Sequence, residues 1–297
     1  MNDAELGKAW LEALEHQRRL SAHTLANYSR AIDVLFKLKE KTDLRDLETQ
    51  QIRRFVARLH AAGLSGRTLA LTLSAWRGFY RWLSRQRGFS VNPVQGVRAP
   101  KSPRHLPKTL SVEQAQQLLD GPVADTPEAL RDRAMFELLY SSGLRLAELV
   151  SLNAEDGGLD LKQGQVTVTG KGAKTRTVPV GARARDALRE WLKARALLAA
   201  PQERALFVGA RGRRIAPGTV QARLRAWSKR QGLGAAVHPH MLRHSFASHV
   251  LQSSQDLRAV QEMLGHASIS TTQIYTHLDF QALAKVYDAA HPRARKK

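Results

Sequence analysis

The sequence contains no cysteine, which excludes disulfide bonds, thiolate nucleophiles and cysteine-ligated zinc. It also lacks an apolar run of the roughly 18 residues that a membrane-spanning helix requires. The stretch 1–20 interrupts its apolar residues with Asp3, Glu5, Glu12 and Glu15, so it has no hydrophobic core of a signal peptide. These absences predict a cytoplasmic protein.

Acidic residues are missing from three segments of the chain, Thr49–Val112, Leu161–Arg185 and Arg204–Gln255. Over 297 residues, 47 Lys and Arg stand against 26 Asp and Glu, which gives a net charge of +21. Such an excess indicates a polyanionic partner, and a surface that follows phosphates must exclude carboxylates. Membrane binding would concentrate the charge on one amphipathic helix. The spread of charge therefore favours nucleic acid, with a generically basic protein as the alternative.

Hydrophobic residues make up 43% of the chain and charged residues 25%, the balance of a folded protein. The segment 91–108 predicts an extended linker, because proline removes hydrogen bonds that helices and sheets need. Its prolines are Pro93, Pro100, Pro103 and Pro107. We therefore predict one domain over 1–90 and a second over 109–297, and both should contact the polyanion.

The first domain is predicted to be helical, with helices over 21–36, 49–62 and 65–86. The last of these carries an apolar stripe at alternating spacings of four and three, typical of a buried helix face. Its members are Leu69, Leu73, Trp76, Tyr80 and Leu83. A separate stripe consists of Arg77, Arg81 and Arg85. It lies in an acid-free segment, so we expect phosphate contact rather than a merely solvated face.

The second domain is predicted to combine helices with a small antiparallel sheet. Helices are expected at 111–114, where Ser111 can cap, at 127–142 and at 145–149. Alternating segments 165–169 and 175–180, joined by a Gly-Lys-Gly-Ala-Lys turn, predict a hairpin, and 206–208 is a candidate third strand. Beyond 208 the chain should be helical. The predicted fold class is mainly α with a small antiparallel β-sheet.

His240 and Arg243 are three residues apart and would share one face of a helix. Pro239 can begin that helix, so both lie near its N-terminal end. Together they could bind an anion at the positively biased helix end. His240 and His244 have a metal-type spacing, but Met241 stands where zinc hydrolases carry a glutamate. No acidic ligand is nearby in sequence, so neither metal nor cofactor is expected.

Five other residues are weak signals when taken singly. Lys171 lies in a turn between glycines that permit close approach to a ligand, and Lys174 in the same turn is a candidate DNA contact. Glu148 lies one turn after Arg145 and could orient it through a charge-assisted bond. Tyr275 follows a capping-box pattern that predicts a helix start at 270–273.

The combination of these motifs resembles the tyrosine recombinases of the phage integrase family. The matching segments, in the family's order, are 143–149, 169–172, 240–247, 264–266 and 272–277. Every position of the family's catalytic pattern is filled, by Arg145, Lys171, His240, Arg243, His266 and Tyr275. The resemblance covers essentially the whole chain, since the helical domain over 1–90 looks like the family's SAM-like core-binding domain.

The resemblance implies a two-domain clamp on DNA, with Tyr275 as the nucleophile that forms a 3′-phosphotyrosyl intermediate. The other five catalytic residues would grip the phosphate and move protons without a metal. The sequence from Tyr275 to Ala294 is similar to that of the Xer branch of the family, whose members resolve chromosome dimers at cell division. A XerD-like partner in a heterotetramer, a dif-type DNA site and an FtsK-type translocase are implied with it, as is docking of the C-terminal helix into a neighbouring subunit.

Three other functions remain open from the sequence. A type IB topoisomerase uses nearly the same residues, although the sequence around Tyr275 favours a recombinase. A phage or transposon integrase commonly carries an extra N-terminal module, whereas the helices here begin almost at Met1. A sequence-specific DNA-binding protein would not require the six catalytic positions to occur together.

Overall fold

The computed structural model describes residues 2–18, 20–101, 109–156, 158–170, 174–265 and 277–294. The chain divides into two compact units, Met1–His105 and Leu106–Lys297, each with its own hydrophobic core. The structure is mostly helical with a small antiparallel sheet, so the predicted fold class is confirmed. No helix among the described residues is long and apolar enough to cross a membrane.

The described residues of the first unit form a helical domain. Its helices are α1 (Asp3–Arg18), α2 (Ala22–Lys39), α3 (Thr49–Ala61) and α4 (Gly66–Arg87). The hydroxyl of Ser21 caps α2 and that of Ser65 caps α4, each accepting from a backbone N–H three residues on. The three helices predicted here are confirmed to within a few residues, whereas the sequence patterns delimit no helix within 1–20.

The apolar stripe of α4 forms the centre of this unit's core. Its five members are all fully buried, as a helix face packed against other helices should be. Trp76 donates from Nε1 to the carbonyl of Ala31 at 2.7 Å, and the Tyr80 hydroxyl donates to the carbonyl of Leu44 at 3.0 Å. Both aromatic polar groups are thus satisfied inside the core.

Some of the predicted linker packs onto this first unit. Residues 91–101 contain neither helix nor strand, but Val94 and Val97 are buried in the core beside Phe89. Burial of these apolar side chains anchors the segment as it leaves α4. The remainder of the predicted linker, 102–108, lies outside the described residues.

The second unit surrounds a larger core. Its helices are α5 (Val112–Asp120), α6 (Pro127–Ser142), α7 (Leu146–Ser151), α8 (Ala182–Arg195), α9 (Pro217–Arg230), α10 (Pro239–Ser254), α11 (Leu257–Leu264) and α12 (His277–Ala290). Its strands are β1 (Leu159–Asp160), β2 (Gln165–Thr169) and β3 (Thr175–Pro179), in the order β1-β2-β3. The predicted cap at Ser111, the helix at 127–142 and the hairpin are confirmed.

The candidate third strand at 206–208 is wrong. The third strand is β1, which pairs antiparallel with β2. The backbone of Leu206 donates to Leu152, and that of Phe207 accepts from Ile215, so the segment bonds two separate loops. It is apolar because Leu206, Phe207 and Val208 are fully buried, and burial alone does not specify pairing in a ladder.

The C-terminal end of the chain is anchored in the second unit's core. The hydroxyls of Tyr287 and Ser141 are 2.6 Å apart, and burial raises the pKa of Tyr287 well above its ordinary value. Arg293 forms a buried ion pair with Glu137. Because α12 leads to this anchor and contacts α10 and β3, its C-terminal end is fixed from within the same chain.

Candidate active site

Arg145 lies at the junction of α6 and α7. Gly143 ends α6 in the left-handed conformation with φ of 57°, and Arg145 is the extended N-cap of α7. The Glu148 carboxylate accepts from the Arg145 backbone N–H at 2.7 Å and from its Nη1 at 2.9 Å. The first bond is the half of a capping box in which the N3 side chain accepts from the N-cap backbone, and the second is an ion pair. Through them Glu148 orients the arginine, whose side chain remains 38% exposed.

Glu148 is also bound by a second arginine. Arg176 on β3 donates from Nη1 and Nη2 to the two Glu148 carboxylate oxygens at 2.6 and 2.8 Å. Burial by itself would raise the pKa of Glu148, but the hydrogen bonds from Arg176 and Arg145 outweigh it and lower the pKa to about 2. The carboxylate is therefore ionised at neutral pH.

Arg243 is a buried cation on α10. Pro239 is in the first turn of this helix, as the sequence pattern predicted, and His238 is its N-cap. Arg243 donates from Nη1 to the Gly143 carbonyl at 2.5 Å and from Nη2 to the Leu264 carbonyl at 2.6 Å. Burial, followed by the cations of Arg145 and Arg176, lowers its pKa to about 10. Arg243 thus remains protonated at neutral pH.

The C-terminal end of α11 collects three arginine side chains. Its final carbonyls have no partner within the helix and carry the negative end of the helix dipole. Arg176 Nε donates to Met263 at 2.9 Å, and Arg243 to Leu264 at 2.6 Å. Arg145 Nη2 lies 3.4 Å from the Gly265 carbonyl. Arg145 and Arg243 therefore meet at the end of α11, directly before residue 266.

The structure does not describe every predicted catalytic residue. Lys171, His266 and Tyr275 lie outside the described residues, as does the predicted helix start at 270–273. His240 is exposed in the first turn of α10, one turn before Arg243. Arg145, Arg243 and Glu148 are brought together as described above.

The predicted DNA-contact residues differ in their accessibility. Arg81 and Arg85 are exposed on α4, and Lys174 is exposed just before β3. Arg77 is half-buried and donates from Nη2 to the Val97 carbonyl at 2.8 Å, so its guanidinium is partly committed inside the first unit. Contact of these four residues with DNA remains a prediction.

Arg176 is the residue of this site that sequence reasoning missed. Strand alternation places it on the same face of β3 as Val178, and both are buried. A cation at an inward position of a strand needs a buried anion, which is the signal that was available. The sequence could not show that the anion is Glu148.

Positive charge exceeds negative charge among the described groups of this site. Three guanidiniums, those of Arg145, Arg176 and Arg243, lie near one carboxylate, that of Glu148, which pairs with the first two. Within the described residues, no three His, Asp or Glu side chains are placed to hold a metal ion. Paired guanidiniums with surplus charge suit a phosphate. On a basic helical protein, this arrangement is suited to bind a phosphate of a nucleic acid.

Comparison with known proteins identifies the family. Residues 108–282 match the Phage integrase family, and residues 8–87 match the Phage integrase, N-terminal SAM-like domain. The chain therefore belongs to the phage integrase family and is a tyrosine recombinase, an enzyme of site-specific DNA recombination. The resemblance drawn from the motifs is confirmed.

Close relatives match over nearly their whole length. The chain is 56% identical to tyrosine recombinase XerC of Pseudomonas aeruginosa (strain LESB58), covering 97% of this chain and 95% of that protein. It is 54% identical to tyrosine recombinase XerC 1 of Ralstonia nicotianae, covering 97% and 94%. Among solved structures, XerH recombinase bound to difH substrate in a pre-cleavage complex matches with a TM-score of 0.69 and 25% identity, covering 97% and 84%.

Proposed function

We propose that this protein is a XerC-type recombinase that cuts and rejoins DNA strands through a 3′-phosphotyrosyl link to Tyr275. The observation that carries the proposal is the meeting of Arg145 and Arg243 at the end of α11. The segment that starts there contains His266 and Tyr275. The extended identity to XerC proteins supports the same conclusion.

The arginines would stabilise the phosphate at which the reaction occurs. A phosphodiester repels nucleophiles, and its negative charge increases in the transition state. Arg145 and Arg243 can each bind non-bridging oxygens through two N–H groups, and His266 would donate a further hydrogen bond. Because contacts within the protein already fix both guanidiniums, little reorganisation is needed during the reaction.

Proton transfer would involve three residues. The Tyr275 phenol has an unperturbed pKa of about 10 and is rarely ionised at pH 7, so His240 would take its proton. The phenolate oxygen then bonds to phosphorus, and the bond to the 5′-oxygen of the leaving strand breaks. Lys171 would protonate that oxygen. The ester energy is retained in the phosphotyrosyl link, so another 5′-hydroxyl can reverse the step without ATP.

The cellular role that we propose follows the Xer relatives. The enzyme would act on a dif-type site in a heterotetramer with a XerD-like partner, and an FtsK-type translocase would act through that partner. The outcome would be resolution of chromosome dimers, which belongs to chromosome partition at cell division. The enzyme would then act at the nucleoid in the cytoplasm.

The two domains of the chain would share DNA binding. We propose that 1–90 is the core-binding domain, 91–108 the linker and 109–297 the catalytic domain. Arg81 and Arg85 in the first domain and Lys174 in the second are exposed and accessible to phosphates, with Arg77 in a supporting position. The predicted clamp on DNA would require both domains to bind one duplex.

The test uses a nicked duplex with a dif-type site, incubated with the full chain and a XerD-type partner. A nick near the cleavage site lets the short fragment diffuse away, which traps the covalent intermediate. Denaturant-resistant protein–DNA adducts are compared between wild type and Tyr275→Phe. We expect an adduct in wild type and none in Tyr275→Phe, with unchanged retardation of the duplex.

Other outcomes point to specific alternatives. Retardation without an adduct in both proteins would support a DNA-binding protein. An adduct that survives Tyr275→Phe would assign the nucleophile to another residue. Relaxation of a supercoiled plasmid that lacks the site, without the partner, would support a topoisomerase.

A further inference from the structure

The buried guanidinium of Arg176 donates three hydrogen bonds. Its side chain is 6% exposed and faces inward from β3. Two bonds reach both oxygens of Glu148, and the third reaches the carbonyl of Met263. The guanidinium thus binds a carboxylate bidentately, in the geometry that fixes both partners.

These bonds join three elements that lead to predicted catalytic residues. In the sequence β3 follows Lys171 and α11 precedes His266, and Arg145 is the N-cap of α7. A methyl group added at Gly265 would lie 3.0 Å from Cδ of Arg176, so the backbone there packs against the arginine stem. No other described residue donates hydrogen bonds to both Glu148 and the end of α11 except Arg145 itself.

We propose that Arg176 is a positioning residue for Arg145. By binding both oxygens of Glu148, it holds the carboxylate in the orientation that fixes the Arg145 guanidinium, and it sets the position of the backbone before His266. The inference deepens the proposed function, because it depends on the role of Arg145 at the phosphate.

Charge gives Arg176 a second effect on Arg145. Glu148 carries one negative charge, and Arg176 and Arg145 carry two positive charges between them. With Arg176 in place, the cluster keeps a net positive charge that can attract phosphate. Without it, the pair Glu148–Arg145 would be neutral, and the carboxylate would compete with the substrate for the guanidinium.

Lysine cannot replace this arginine. Its ammonium is a point charge that cannot bind both carboxylate oxygens and the Met263 carbonyl in one plane. Arg176→Lys therefore keeps the charge and removes the geometry. It is therefore the informative variant. Circular dichroism gives the folded fraction of wild type and variant, and their rates are compared per folded molecule.

The experiment measures the rate of adduct formation on two nicked dif-type duplexes, with the XerD-type partner present. One carries the natural phosphodiester at the cleavage position mapped with wild type, and the other a methylphosphonate, in which a neutral methyl replaces a charged oxygen. On the phosphodiester, Arg176→Lys should be slower on the order of tenfold to hundredfold, the loss typical when a group that orients a metal-ligating side chain is removed. On the methylphosphonate the difference should shrink several-fold, because less charge needs stabilisation.

The matched control is Arg131→Lys. Arg131 is equally buried, pairs with Asp132 and donates to the Val208 carbonyl, and none of these contacts is to the site. This variant should lose stability but react like wild type on both duplexes per folded molecule. If Arg176→Lys does not fold, Glu148→Asp, which shortens the side chain by one methylene, should show the same difference in rate between the two duplexes.

Two results would overturn the inference. Arg176→Lys could react as fast as wild type on the phosphodiester, or it could be slowed by the same factor on both duplexes, as a purely structural defect would be. Absence of an adduct in wild type would instead overturn the proposed function, and this inference with it.

Discussion

At the scale of single residues, Glu148 is the carboxylate that pairs with two of the arginines of the site. Its side chain is 3% exposed and binds two arginines. Burial opposes ionisation, but the hydrogen bonds from Arg176 and Arg145 outweigh it and give a pKa of about 2. A buried ion pair adds little over an apolar substitute, whereas removal of one partner leaves an uncompensated charge. Glu148 should therefore be sensitive to even an isosteric change.

Glu148→Gln should destabilise the protein. The amide preserves the volume but leaves Arg176 buried without a carboxylate, which typically costs about 3–5 kcal/mol. Urea unfolding at pH 7 measures the loss. Glu155→Gln, at an exposed position, is the control and should change the free energy of unfolding by less than about 0.5 kcal/mol.

The pH dependence of the stability of the same variant should reveal the pKa of Glu148. The folded pKa of about 2 lies below the ordinary value of 4.5, so the stabilisation is complete above pH 4.5 and is lost as pH falls towards 2. The difference in stability between wild type and Glu148→Gln should therefore be constant from pH 7 to about 5 and shrink below 4.5. A difference that stays unchanged to pH 2 would contradict this assignment.

At the scale of elements, the junction between α6 and α7 positions both arginines of the site. Gly143 ends α6 with a positive φ of 57°, and its carbonyl accepts from Arg243. A methyl group at this glycine would clash with the Phe246 ring. The turn thus requires glycine both for its backbone conformation and for its closeness to α10.

Gly143→Ala should destabilise the protein and slow the enzyme. The left-handed conformation and the clash with Phe246 together should cost on the order of 2–4 kcal/mol. Thermal unfolding measures this cost, and adduct formation on the nicked duplex should slow because Arg145 and Arg243 both shift. The control is Gly218→Ala on α9, where added atoms meet nothing within 4 Å. That change should be neutral or stabilising by up to about 1 kcal/mol. Equal effects of the two variants would refute the requirement for glycine at 143.

At the scale of the whole molecule, the excess of positive charge should govern DNA binding. The net charge is +21, and the segment Thr49–Val112 contains no acidic residue. Neutralising phosphates releases counterions, so affinity should fall steeply with salt, with a slope of about 0.9 per phosphate contact on a double-logarithmic plot. The exposed arginines of α4 are candidates for such contacts.

Arg81→Gln and Arg85→Gln should each weaken DNA binding and reduce the salt slope by about 1. The effect should be similar for dif-type and unrelated duplexes, because phosphate contacts carry no sequence information. Fluorescence anisotropy over a series of salt concentrations measures it. Lys8→Gln is the control, since Lys8 is exposed on α1 but lies 3.9 Å from Glu12, and it should leave the slope unchanged. An unchanged slope in both arginine variants would remove α4 from the DNA-binding surface.

Features that depend on near neighbours could be predicted from the sequence alone. Ser111 caps α5, and α6 ends at Ser142, where the sequence predicted, because capping is decided within one turn. The apolar stripe through Trp76 predicted the buried face because helical periodicity is local. The motifs around Arg145 and Arg243 indicated the family for the same reason: each motif is a short run with fixed spacing.

Tertiary packing was needed to establish which distant groups meet. Arg243 binds the carbonyl of Gly143, and Arg176 binds Glu148, yet nothing in the spacing of these residues identifies the pairs. The strand predicted at 206–208 failed for a related reason, since its hydrogen bonds go to loops that the sequence does not place. Periodicity and caps are local and can be read from the chain, whereas ion pairs between elements depend on how the elements pack.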